Sequence, residues 1–145
     1  IVLCLSVVHA LLFAVTSTAL STPTTPAEQL RSLLQTSLST QRAIPLPGVH
    51  DALSAKLFAA NPHVPCLFLS GFGVSASRLG QPDAGILTLS EMEDATRNVV
   101  SSVSNYNTPV MVDGDTGYGS IRRTVRGLAS AGAAAITIED QEFPK

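Results

Sequence analysis

Three short runs constrain this chain more than anything else in it: "CLFLS" (residues 66–70), "VMV" (110–112) and "AITIED" (135–140). The first two are apolar without alternation, and the third is nearly so up to its acidic end. A strand with one face in water alternates apolar and polar residues. An unbroken apolar strand is covered on both faces, which is the condition of a parallel sheet with helices packed on it. A fourth extended piece, "AIPLPGV" (43–49), precedes them, because each proline restricts both itself and its predecessor.

The stretches between these runs read as helices. "TPAE" offers Thr25 as an N-cap, Pro26 at the first helical position and Glu28 to close a capping box. Leu30, Leu33, Leu34 and Leu38 then share one helical face. "DALSAKLFAA" (51–60) follows as a helix with Leu53, Leu57 and Ala60 on one side. "SEME" (90–93) reads as a second capping box, opening a helix with Met92, Ala95, Val99 and Val103 in register. After "VMV", a helix carries Ile121, Val125 and Leu128 inward and Arg122, Arg123 and Arg126 outward into solvent, and Gly132 ends it. Strand and helix therefore alternate, which predicts an α/β fold of parallel strands with crossover helices. A doubly wound sheet and a (β/α)8 barrel both fit. In either, function gathers at the carboxyl ends of the strands.

At those ends stand Ser70-Gly71, Asp113-Gly114-Asp115 and Glu139-Asp140. In extended backbone Asp113 and Asp115, two apart, point the same way. Carboxylates gathered at one spot repel unless a cation or a shared proton compensates them. As hard oxygen donors they suit Mg2+, which is bound by few direct carboxylates and keeps waters to complete its octahedron. The surrounding glycines let the backbone approach a ligand. Taken singly, each feature is ordinary: Asp-Gly-Asp is a common turn, and Asp83 in "QPDAG" is by default a turn residue. "GDTGYGS" lacks the Lys-Ser/Thr pair of a phosphate loop. Recurrence at equivalent positions of three strands lifts the set above a run of turns.

Other features bound the reading. The net charge of −2 over 145 residues supplies no basic field for nucleic acid. Cys4 and Cys66 lie too far apart in sequence for a metal pair or a disulfide framework. Cys66, inside an apolar run, reads as a small buried hydrophobe. Residues 1–24 are set apart: an apolar run over residues 1–20, whose only ionisable side chain is His9, then a Ser/Thr/Pro linker. The run reads either as a targeting or anchoring segment or as a misassigned start. Membrane association is expected only if residues 1–20 are a genuine anchor, and the location is otherwise cytoplasmic or organellar.

From Leu30 to Lys145 the chain resembles the first half of the isocitrate lyase/phosphoenolpyruvate mutase superfamily. The resemblance lies in "LPGVHDALSAKL", "SGFGVSASRLGQPDAG", "VDGDTGYGS", "RTVRGLASAGAAAITIEDQ" and the closing "PK", in that order. It implies a (β/α)8 TIM barrel, of which residues 25–145 would supply the first four strands. It also implies Mg2+, or Mn2+, and a small 2-oxo or enolpyruvyl carboxylate whose C–C or P–C bond is made or broken. "EDQ" followed by "PK" is similar to the branch holding 2-methylisocitrate lyase and carboxyvinyl-carboxyphosphonate phosphorylmutase-like proteins. Residue by residue, the resemblance implies that Ser70, with the backbone at Gly71 and Phe72, holds the substrate carboxylate. Asp113 would bind the metal directly, and Asp83, Asp115 and Glu139 would hold its waters. Lys145 would open the mobile catalytic loop. A full-length form would be a homo-oligomer.

Two departures from the family pattern stand out. The segment between Gly119 and Arg123 is shorter than in relatives by roughly one helical turn. The sequence also stops at Lys145, where relatives continue into a loop carrying a catalytic Cys or Asn. The expectation is a Mg2+-dependent lyase or phosphonomutase, with this stretch inactive by itself. The alternative is a non-catalytic truncated paralogue that binds a metal or a full-length relative.

Overall fold

A computed structural model describes residues 24–141. The expected residues 1–20 segment and Lys145 lie outside them. Helix α1 (Pro26–Thr40) starts as the sequence predicts: Thr25 accepts from the Glu28 N–H, and the Glu28 carboxylate accepts from the Thr25 N–H at 2.7 Å. Four strands follow: β1 (Gly48–Val49), β2 (Leu67–Leu69), β3 (Val110–Asp113) and β4 (Ala135–Thr137). They form one parallel sheet in the order β1-β2-β3-β4, the partial (β/α)8 barrel expected. Pairing is shorter than the apolar runs suggest. Only two residues of the first extended piece join the sheet, and β4 stops at Thr137 rather than Asp140.

The crossovers are helix α2 (Ala52–Ala59) after β1, helices α3 (Gly71–Val74) and α4 (Leu89–Val103) after β2, and helix α5 (Ile121–Ser130) after β3. The chain leaves β2 directly into α3 and a π turn, Ser75–Leu79, and not into an open loop. Gly132, at φ +101, ends α5 as expected.

The register divides the sheet into two faces. Val49, Leu69 and Val112 pair in one row and are fully buried, with Leu67 and Val110 a step below them. Met92, Val99 and Val103 of α4, Ala55 and Ala59 of α2 and Leu128 of α5 pack in the same core. Removing such side chains from water is worth about 1.5–3 kcal/mol each. Gly48, Phe68, Met111 and Ala135 form the other row. Phe68, Met111 and Ala135 are only partly buried.

Several helix assignments need correction. The cap of α4 is Thr88 with Glu91, not Ser90 with Glu93: Thr88 is extended at φ −88, while Ser90 already lies inside the helix. In α2 the buried face is Ala55 and Ala59, whereas Leu53 and Leu57 are about two-thirds exposed. In α1 Leu30 is buried but Leu34 and Leu38 are exposed. In α5 the buried pair is Thr124 and Leu128, while Ile121 and Val125 stand exposed on an adjacent stripe. The physical reason is common to α2 and α5. The buried stripe of α2 is small (Ala55, Ala59) and that of α5 joins Thr124 to Leu128, while the other aliphatics of both helices lie on a flank. In a ring of helices such flanks face the neighbouring helix.

Candidate active site at the carboxyl ends of the strands

The sheet pleat places Asp113 on the inner face. It follows Met111 by two residues on β3, and it pairs with Thr137 of β4. Both of its carboxylate oxygens are held by backbone donors. The Gly71 N–H donates to Oδ2 and the Asp115 N–H to Oδ1, each at 3.0 Å. The first bond ties the end of β3 to the exit of β2. It depends on glycine, because a Cβ at residue 71 would sit 2.9 Å from Asp113 Oδ2.

Beyond Asp113 the chain turns through left-handed backbone at Asp115 (φ +49), Gly117 (φ +96), Tyr118 (φ +47) and Gly119 (φ +78). Aspartate tolerates this region; for tyrosine it is uncommon. The surroundings hold the loop in place. The Gly114 N–H donates to Thr137 O and the Glu139 N–H to Asp115 O, both at 2.8 Å, so the loop is laced to the exit of β4. The buried Thr124 hydroxyl donates to Gly117 O at 2.7 Å, anchoring the loop to α5. The left-handed turn at Asp115 corrects the expectation that Asp113 and Asp115 project in parallel from extended backbone. Asp115 folds back instead, is buried, and accepts from the Thr116 N–H.

Asp83, Asp113 and Asp115 line one narrow cleft, together with Gly71, Ser75 and Tyr118. Asp83 arrives on the loop after the π turn, far along the chain from the other two. Glu139 is joined to this cleft through its N–H to Asp115, and its side chain is not among the lining groups. Among the described residues no three acidic, histidine or cysteine side chains converge closely enough to ligate one ion directly. What the cleft offers is carboxylate oxygen, a hard donor of the type that suits Mg2+. Ser70 caps α3, its hydroxyl accepting from the Gly73 N–H at 3.2 Å. Gly71 spends its N–H on Asp113. Phe72 is largely exposed. Cys66 is buried immediately before β2, and burial pushes its thiol above its ordinary range, as befits a structural residue.

Two cleft residues with hydroxyl groups carried no assignment from sequence: Ser75 and Tyr118. Tyr118 lies between two glycines in "TGYGS", and a large residue in so permissive a run was the available signal. Ser75 gave none, because its place depends on the carbonyls of Gln81 and Pro82, several residues further on.

The fold and this cleft define a partial (β/α)8 barrel with a carboxylate-lined site at the carboxyl ends of its strands. A family model described as phosphoenolpyruvate phosphomutase matches residues 34–145, and the chain belongs to that family, within the phosphoenolpyruvate mutase/isocitrate lyase superfamily. It is 40% identical over 122 residues to the 2,3-dimethylmalate lyase of Eubacterium barkeri, covering 82% of this chain and 39% of that protein. It is 39% identical over 128 residues to the chloroplastic carboxyvinyl-carboxyphosphonate phosphorylmutase of Arabidopsis thaliana, covering 83% of this chain and 35% of that one. Among solved structures, oxaloacetate acetylhydrolase in complex with the product oxalate superposes with a TM-score of 0.74 at 36% identity, covering 83% of this chain and 41% of the other. The chain thus spans about two fifths of the length of these relatives. Their names denote a lyase, a phosphorylmutase and a hydrolase, each of a small carboxylate.

Proposed function

We propose that this chain carries the metal and carboxylate half of a Mg2+-dependent lyase or phosphonomutase acting on a small 2-oxo or enolpyruvyl carboxylate. The observation that carries the reading is Asp113: a carboxylate on the inner face of the sheet, fixed at both oxygens by backbone N–H groups, across a cleft from Asp83 and Asp115. Asp113 would hold Mg2+, or Mn2+, directly, and Asp83, Asp115 and Glu139 would hold its waters. When bound, the cation supplies stabilisation of the oxyanion that develops when a bond beside a carbonyl is broken. The chain's own groups do the rest. The two N–H donors fix Asp113 so that no reorientation is needed. The left-handed turn keeps Asp115 buried beside it. The Ser70 hydroxyl, which accepts from Gly73, still has its proton to donate to a substrate carboxylate beside the Phe72 backbone. Lys145 would begin the loop that completes the acid-base machinery.

The test is activity in a protein where these residues sit in a complete barrel, assayed with Mg2+ against methylisocitrate, isocitrate, dimethylmalate and oxaloacetate. Turnover of one of them, abolished by Asp113→Ala and by chelation, is expected. Undiminished Mg2+-dependent turnover by Asp113→Ala overturns the assignment. Ser70→Ala should raise KM by about tenfold or more, since a hydrogen bond to a charged group is worth about 1.5–3 kcal/mol.

A further inference from the structure

Ser75 opens the π turn and is 2% exposed. Its hydroxyl faces two carbonyls at once, Gln81 O at 3.1 Å and Pro82 O at 3.0 Å, and shares its single proton between them. The main chain repeats the link, since the Gln81 N–H donates to Ser75 O at 3.3 Å. A third short bond closes the turn, from the Ala84 N–H to Pro82 O at 3.0 Å. The loop that delivers Asp83 to the cleft is therefore gripped at the two residues immediately before it, and gripped by a side chain that itself lines the cleft. Elsewhere the same loop is exposed: Gln81, Pro82, Ala84 and Gly85 all stand in solvent. Ser75 is the first residue of the π turn, and turns of this kind recur at functional sites.

From this geometry we infer that Ser75 is a positioning residue for Asp83, setting where that carboxylate stands across the cleft from Asp113. The inference rests on the cation-binding reading given above. A residue that merely staples a loop would add stability and nothing else. A residue that acts through Asp83 contributes to cation affinity only while Asp83 is present. These two roles separate in a double-mutant cycle.

The experiment uses the 145-residue chain with Mn2+ alone as the probe, its binding followed by electron paramagnetic resonance and its unfolding by urea. Ser75→Ala should weaken Mn2+ binding about fivefold, somewhat less than the loss typical for a partner of a direct metal ligand. In an Asp83→Ala background, the further change Ser75→Ala should leave the Mn2+ affinity unaltered. An equal loss in both backgrounds overturns the inference. So does an unchanged affinity in Ser75→Ala accompanied by a lowered urea midpoint. If Ser75→Ala does not fold, Ser75→Cys, close in size and a weaker donor, goes through the same cycle with the same expectations. Asp113→Ala, run in parallel, keeps the two claims apart. Mn2+ binding that survives Asp113→Ala defeats the reading of the site. Binding that depends on Asp113 but shows no Ser75–Asp83 coupling defeats the role of Ser75 alone.

Discussion

The outer and inner faces of the sheet belong to the same four short strands, yet they are finished differently. On the outer face Val49, Leu69 and Val112 are at most 1% exposed, closed over by α2, α4 and α5. On the inner face Phe68, Met111 and Ala135 are only partly buried, and Asp113 projects among them. The outer face is a core in its own right. The inner face is apolar along the strands and turns polar at their carboxyl ends, as the interior of a barrel does below a site. The helix flanks repeat the division. Leu53 and Leu57 of α2, and Ile121 and Val125 of α5, are aliphatic side chains left exposed.

The sharpest way to break this comparison is to mutate adjacent residues of one strand. Leu69→Ala, on the outer face, should cost about 2–5 kcal/mol in urea unfolding. Phe68→Ala, one residue away on the inner face, should cost less than Leu69→Ala despite the larger side chain, because that side chain is only partly buried. Equal losses would mean that the inner face is covered after all.

Next in size is Gly71→Ala. The added methyl would meet Asp113 Oδ2 at 2.9 Å, so the carboxylate must give way. The expected result is roughly tenfold weaker Mn2+ binding, about 1.4 kcal/mol, with a urea midpoint close to that of the unaltered chain. A large drop in stability with unchanged affinity would place Gly71 in the core, not the site.

The exposed stripes and the two sheet edges make a third case. Residues 24–141 expressed by themselves should self-associate, because unpaired strand edges and uncovered apolar flanks template pairing. Size-exclusion chromatography should show species larger than a monomer, and Ile121→Glu with Val125→Lys should shift them toward it. A monodisperse monomer would show that those flanks carry no driving force.

The smallest effects lie at the helix caps. Hydrogen bonds within the caps hold three carboxyls below their ordinary values: Glu28, chiefly by the Thr25 backbone; Glu91, chiefly by the Thr88 side chain; and Asp51, chiefly by the Ser54 backbone. A carboxyl lowered on folding stabilises the folded state above its unfolded pKa and loses that contribution as the pH falls through the folded value. Stability should therefore decline as the pH falls below about 4.5, and Glu28→Gln with Glu91→Gln should flatten that decline. An unaltered acid limb would show that these solvent-exposed caps contribute nothing measurable.

Much of this architecture was legible in the sequence because it rests on local chemistry. Apolar runs marked three of the four strands, Thr25 and Glu28 marked one helix start, and Gly132 marked one helix end. What escaped was whatever depends on a neighbour. The faces of α2 and α5 were misassigned because a barrel helix has two packing partners, and size alone does not say which side chain meets which. The true cap of α4 lay two residues earlier because Leu89 is needed in the core. Among site residues, Asp113, Asp115 and Asp83 could be named from their motifs. The left-handed turn at Asp115 and the burial of Ser75 could not, since one depends on lacing to β4 and the other on the loop at Gln81 and Pro82.

The central claim is that the cleft around Asp113 binds a divalent cation, and direct titration with Mn2+ tests it most plainly. The unaltered 145-residue chain should show saturable binding at one site, with Mg2+ competing. Asp113→Ala should abolish that binding, while Asp94→Ala, whose carboxylate instead pairs with Arg78 at the surface, should leave it intact. Equal binding by the unaltered chain and Asp113→Ala, or no saturable binding by either, would contradict the account.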